Sequence, residues 1–257
     1  MGRQSGICCY CGEVRSFAKA HIISKTLFKD LFKRYGKVHL LNVKDIDGNN
    51  KVQDAFFDTH ILCAKCDMSF SLFEDYFVQL IRGELLATGI TSRIKRSDLG
   101  EYMVDKYRPV NYLHLRFFYL LTLWRCGISQ QSSFTSVSLG NDEQKIHKLL
   151  QLKEPGDYKD YATVLVSFAE VDDIRALTAI GPANAMVGVI PIIVILFDQW
   201  ALIYCLKKQV KEWFFQYALN DSGDLSVVIF KESFGVNFLN QLTHNQVHLR
   251  KADVFGE

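Results

Sequence analysis

The sequence lacks a strong charge of either sign: 30 Lys and Arg against 28 Asp and Glu leave +2 over 257 residues, with a pI near 8.1. That balance is too mild for a protein that coats nucleic acid. It also lacks an unbroken apolar run suited to a membrane. One stretch, Ala185 to Leu206, is long enough to raise the question, but Pro191 and Asp198 interrupt it. Its Val and Ile enrichment favours two buried strands meeting near Asp198 and Gln199, so no membrane partner is expected. No charged-then-apolar leader is evident, and the start MGRQSG lacks the Ser or Thr at position six that a myristoylation signal carries. Seven cysteines, an odd number in a long chain, argue against a secreted disulfide framework and for a reducing cytoplasm. No segment is low-complexity or repetitive.

What is present is a chain able to bury a full core, 49% hydrophobic and 13% aromatic. Residues 1–108 hold 17 of the 30 basic and 13 of the 28 acidic residues, so a modest basic bias lies in the first part. The expected fold class is α+β: a four-cysteine module over 1–83, a basic connector or exposed hairpin over 84–109, and a mixed α/β region over 110–257 for partner binding, sensing or dimerisation. Ser24 can cap a helix to about Tyr35, with Phe28, Leu31, Phe32 and Tyr35 on one face and Lys25, Lys29 and Lys33 on another. Two extended segments around DGNN read as a hairpin leading to the second cysteine pair. A second helix is expected from Asp67 to Ile81, and a helix apolar on nearly every side from Asn111 to Cys126. Further on, a helix at 142–152 and strands at 162–169, 187–197, 201–207 and 225–230 are expected.

Cys8-x-x-Cys11 and Cys63-x-x-Cys66 have the spacing that lets two thiolate pairs grip one tetrahedral zinc, at about 2.3 Å per bond. Cys9 is too close to Cys11 for the usual knuckle, and a redox pair or buried thiols are the alternatives. With four thiolates closing the ion, His21 in "AHII" is not needed as a ligand. It is then either a packed core histidine or the base of an active site, with Asp67 immediately after the last cysteine as its companion.

The pattern C-x-x-C, "AHII", "ILC-x-x-C-D" resembles the zinc-ribbon branch of the HNH, or ββα-metal, endonucleases. "AHIISKTLF", "ILCAKCDMSFSLFEDYF", "LLTLWRCGIS" and "VSLG" are similar to uncharacterised bacterial HNH-like proteins of mobile-element or antiphage loci. The resemblance covers roughly the first 140 residues. It implies a structural Zn²⁺ on Cys8, Cys11, Cys63 and Cys66, a catalytic His21 that activates water, and a Mg²⁺ or Mn²⁺ ion held by Asp67. It also implies phosphodiester hydrolysis in nucleic acid, DNA foremost, in an antiviral setting. The pattern departs where Ala20 replaces an acidic metal ligand, and Asn42, Asn49 and Asn50 compete for the motif's middle letter.

Glu74 lies seven residues beyond Asp67, a rise of about 10.5 Å on a straight helix, too far for both to chelate one ion. It is therefore expected behind the site or beside a basic residue. Lys25, Lys29, Lys33 and Arg34, with Arg93, Lys95 and Arg96, are candidate phosphate contacts, or solvated faces. His39 and His60 read as ordinary strand histidines. Two rivals to an enzyme are a zinc-ribbon binding module that lost catalysis with the acid at position 20, and a structural subunit of a defence complex.

Overall fold

The computed structural model describes residues 4–29, 33, 38–41, 51–52, 56–171, 179–180, 182–187, 190–206, 212–243 and 248–249. Its first part is built of short pieces. Strands β1 (Ser5–Ile7) and β2 (Val14–Ser16) pair antiparallel across the first cysteine loop. Strand β3 (Ala20–His21) leads to a 3-10 turn, Lys25–Phe28, with Lys29 and Lys33 helical beyond it. Ser24 does not cap that turn through the backbone; its hydroxyl bonds the Thr26 hydroxyl at 2.7 Å. Phe28 is buried, whereas Leu31, Phe32, Arg34 and Tyr35 lie outside the described residues.

Strands β4 (Val38–Leu41) and β5 (Lys51–Val52) pair antiparallel, and β4 carries His39; the DGNN turn and Asn42, Asn49 and Asn50 lie outside the described residues. The strand that enters the second cysteine pair is β6 (Phe57–Asp58), which pairs antiparallel with β3, setting Ala20 opposite Asp58 and His21 opposite Phe57. The helix expected over 67–81 is two: α1 (Ala64–Ser69) and α2 (Ser71–Ile81), meeting at Phe70. A short α3 (Glu84–Ala87) follows.

The segment expected as a connector or exposed hairpin carries β7 (Ser92–Asp98) and β8 (Tyr102–Arg108), an antiparallel hairpin at one edge of a large mixed sheet. Then come α4 (Tyr112–Ile128), α5 (Asn141–Leu152), β9 (Ala162–Glu170), β10 (Ala179–Ile180), β11 (Ala183–Val187), β12 (Ile190–Phe197), β13 (Trp200–Cys205), α6 (Glu212–Phe215), β14 (Leu225–Lys231), α7 (Glu232–Thr243) and β15 (His248–Leu249). The sheet has eight strands in the order β15-β11-β12-β13-β9-β14-β8-β7. The apolar run is a β12–β13 hairpin turning at Asp198 and Gln199, with Asp198 at φ 51°. Among the described residues no helix is long and apolar enough to cross a membrane.

Alternation along the strands explains the layers. On one face Leu165, Ile195, Leu202, Tyr204 and Val227 pack with α4; on the other Val164, Val166, Ile203, Val228 and Phe230 pack with Phe214, Phe234 and Phe238. Helix α4 is apolar around its girth because it has neighbours on two sides. Phe77 of α2 stacks on Phe118 at 4.1 Å, and the Tyr204 hydroxyl of the sheet donates to the Tyr119 carbonyl at 3.1 Å. Burying one such phenylalanine stabilises the fold by roughly 1.5–3 kcal/mol. Helix α4 thus joins the cysteine module to the sheet.

Candidate metal centre and the adjoining polar cluster

The first cysteine loop is closed by two backbone bonds, Cys8 N–H to the Glu13 carbonyl at 3.0 Å and Gly12 N–H to the Cys8 carbonyl at 2.9 Å. Gly12 sits at φ 73°, a conformation that costs glycine nothing and other residues more. The second pair straddles a helix start: Cys63 is the residue before α1 and Cys66 lies in its first turn. Phe17 bridges to Cys63 and Ala18 N–H donates to the Leu62 carbonyl, so the chain after β2 fixes the second pair against the first.

The result is four sulfur atoms, of Cys8, Cys11, Cys63 and Cys66, all within 4.8 Å of one another. A tetrahedral ion with bonds of about 2.3 Å separates its sulfurs by about 3.8 Å, so the cluster can hold a metal such as zinc with little adjustment. Its electrostatics point the same way. Burial works against ionising Cys8, but backbone N–H groups of Cys11, Cys63 and Tyr10 bring its thiol down to about 7. Burial and the neighbouring thiols push Cys66 well up. One thiolate forms readily and the next is opposed; a divalent cation removes that opposition. Cys9 is exposed and stands outside the four.

One residue beyond Cys66 a second cluster begins. Asp67 Oδ1 accepts from Arg125 Nη2 at 3.0 Å, and Glu74 Oε1 accepts from Arg125 Nη1 at 2.5 Å. The same Nη1 donates to the His21 backbone carbonyl at 2.9 Å. Arg125 projects from α4 and is only 2% exposed. One guanidinium therefore ties β3, α1 and α2 together. Glu74, expected beside a basic residue, has one in Arg125. The two-piece helix lets both carboxylates reach that group.

His21 is half-buried, with its ring edge-on to Phe57 at 6.3 Å. It stands near enough to Asp67 for its charge to act there. Burial raises the Asp67 carboxyl above its ordinary range, Arg125 pulls it back, Glu74 pushes it further up and His21 pulls it down. Oδ2 of Asp67 and Oε2 of Glu74 receive no hydrogen bond among the described residues. The two carboxylates share one guanidinium, and His21 meets the same group through its backbone carbonyl; among the described residues the cysteine quartet is the set of side chains placed to share a metal ion.

Asp58 does not replace the acid absent at Ala20. It is fully buried and its carboxylate accepts from His60 N–H, Ser129 Oγ and Gln130 N–H, which anchors the chain after α4 to β6. His60 is exposed at the edge and meets Gln4 at 2.9 Å.

The basic candidates gather elsewhere. Lys25, Lys29 and Lys33 are exposed. Arg93 and Arg96 of β7 both bond the carboxylate of Asp105, which is 1% exposed, at 3.2 and 2.6 Å; Lys95 between them points to solvent. Asp105 therefore takes up much of the positive charge that Arg93 and Arg96 bring to this edge.

The cysteine loop also rests on α5. Tyr10 donates its hydroxyl to the Leu150 carbonyl at 3.0 Å, and its own carbonyl faces His147 Nε2 at 2.9 Å and accepts from Gln151 Nε2 at 2.8 Å. Arg125, Asp58 and Tyr10 are the residues that sequence reasoning missed; the one signal for the first was an arginine inside an otherwise apolar helix. Comparison with known proteins returned no matching family model, curated protein or solved structure.

Proposed function

We propose that the chain is a metal-dependent, HNH-like endonuclease of the cytoplasm that hydrolyses phosphodiester bonds in nucleic acid, DNA in the first instance. The observation that carries this reading is that Arg125 ties the Asp67 and Glu74 carboxylates to the backbone carbonyl of His21, one residue from a cysteine quartet that can lock that backbone in place. In it, Cys8, Cys11, Cys63 and Cys66 hold a structural Zn²⁺. The ββα shape of the family is supported by the β3–β6 ladder followed by α1.

In this reading His21 takes the proton of the attacking water, a task that requires its neutral form. Asp67, with Glu74 beside it, supplies anionic oxygens for Mg²⁺ or Mn²⁺, whose contribution when bound is to offset charge at the phosphate. Arg125 holds both carboxylates in register and remains buried. Exposed Lys25, Lys29, Lys33 and Lys95 supply salt-sensitive, sequence-independent attraction for a nucleic-acid backbone, and defence against phage suits such an activity.

A second reading is favoured by one feature: Arg125 already occupies an oxygen of each carboxylate, as it would in a zinc-held binding or structural subunit without catalysis. Nicking of supercoiled plasmid with Mg²⁺ or Mn²⁺ separates the two. The enzyme reading expects cleavage by the parent and at least a hundredfold less by His21→Ala; equal cleavage by both, or none by the parent, overturns it.

A further inference from the structure

A cavity of about 400 Å³ lies between α1, α2, α4 and α5, with Tyr10 of the first cysteine loop in its wall. That volume is within the range of small-molecule sites, roughly 300–1,000 Å³. Its wall is built of rings: Tyr10, Phe70, Phe73, His114 and Phe117. These are braced against one another, Tyr10 edge-on to Phe70 at 4.9 Å and Phe73 against His114 at 5.8 Å and Phe117 at 5.2 Å. Leu72 and Leu113, 58% and 47% exposed, carry the apolar lining out to solvent.

The polar lining is sparse and one-signed. Among the described residues Lys153 is the charged side chain of its lining, and none of them brings a carboxylate. Burial holds the His114 imidazole toward its neutral form, and its Nδ1 is buried without a hydrogen-bond partner among the described residues. Lys153 ends α5 in the left-handed conformation at φ 55°, which costs a non-glycine residue of order 1 kcal/mol. A ring-lined body with a lone cation at its edge complements one kind of ligand.

We propose that this cavity binds a small aromatic monoanion, its rings among Phe70, Phe73 and Phe117 and its carboxylate, sulfonate or phosphate directed to Lys153. The ligand would touch Phe70, whose ring also lies under the Arg125 guanidinium at 5.3 Å, and Tyr10 within the first cysteine loop. The site nevertheless stands apart from the catalytic reading, and its test needs no nuclease activity.

The test is fluorescence titration of the full chain with anilinonaphthalene sulfonate, an aromatic anion, and with N-phenylnaphthylamine, a neutral ring system of similar shape. The expected result is one saturable site per chain for the sulfonate. Lys153→Glu should weaken the sulfonate about tenfold and leave the neutral probe within twofold, a difference on the scale of one partly screened charge pair. Leu113→Trp and, from the facing helix, Leu72→Trp should abolish binding of both probes while circular dichroism and the unfolding midpoint stay those of the parent. Absence of saturable sulfonate binding, or binding untouched by either tryptophan in a folded chain, overturns the proposal. Equal weakening of both probes by Lys153→Glu overturns the assignment of an anion.

Discussion

Two arginines are buried in the same helix, and their surroundings differ in kind. Arg116 and Arg125 of α4 are nine residues apart, about two and a half turns, so they leave the helix on opposite faces. Each is 2% exposed. Arg116 donates to four backbone carbonyls, those of Pro155, Asp157, Asp160 and Tyr161, and so pins the loop between α5 and β9. Arg125 meets one carbonyl and two carboxylates, and its Nε has no partner among the described residues. A guanidinium set among carbonyls is satisfied and has only a structural task. One set between two acids beside a histidine balances charge, and removing it leaves ionisable groups exposed to each other.

The widest separation between the two ends of α4 should come from metal removal. Structural zinc contributes roughly 10–16 kcal/mol of apparent binding energy in small modules, energy that becomes folding energy. Chelation, or Cys63→Ser, should therefore remove amide-exchange protection from residues 4–29 and 56–81 while the eight-stranded sheet and the Arg116 loop keep theirs. Uniform loss across the chain would show that the two ends are one cooperative unit.

Next in size is the loss of the side chains themselves. Arg125→Met leaves two neighbouring half-buried carboxylates, 27% and 18% exposed, without their cation and should cost about 3 kcal/mol in denaturant unfolding, the low end for breaking a buried pair. Arg116→Met strands only neutral carbonyls, some beside solvent, and should cost about 1–3 kcal/mol. Asp67→Asn with Glu74→Gln should rescue about 0.5–3 kcal/mol of the first and none of the second. Equal rescue would erase the distinction.

A buried carboxylate, Asp105, held by two exposed arginines calibrates the Arg125 cluster. Burial alone would raise the Asp105 carboxyl, but Arg96 and Arg93 hold it below the ordinary carboxylate range. Its folded pKa is depressed, so its stabilisation is full above the unfolded value of about 3.9 and is lost as pH falls through the folded value. Acid unfolding of Asp105→Asn should be flatter below pH about 4 than that of the parent. The smallest effect belongs to Lys95→Glu, which should alter stability by less than about 0.5 kcal/mol; on the nuclease reading it also weakens nucleic-acid retention at low salt.

The difference between the two ends also marks what a sequence discloses. Strands β9, β12, β13 and β14 and helices α4 and α5 were legible because burial on two faces imposes continuous apolar runs and an amphipathic helix imposes its period. The cysteine quartet was legible from spacing, since a two-residue gap is a local constraint. Arg125 was not, because its partners Asp67 and Glu74 lie 58 and 51 residues away and a single arginine in an apolar helix has no local signature. The break at Phe70 was hidden for a related reason: neither glycine nor proline marks it. The β7–β8 segment read as a connector or exposed hairpin, and not as an edge of the large sheet, because an edge strand with an exposed face is polar and its bulge between Arg93 and Lys95 breaks the alternation.

Everything proposed for His21, Asp67 and Glu74 depends on an ion closing the cysteine quartet. Elemental analysis of the purified chain tests that directly: the account predicts one zinc ion per chain, lost on Cys63→Ser together with the protection of residues 56–81. A wild-type chain that unfolds cooperatively yet contains no zinc would contradict it.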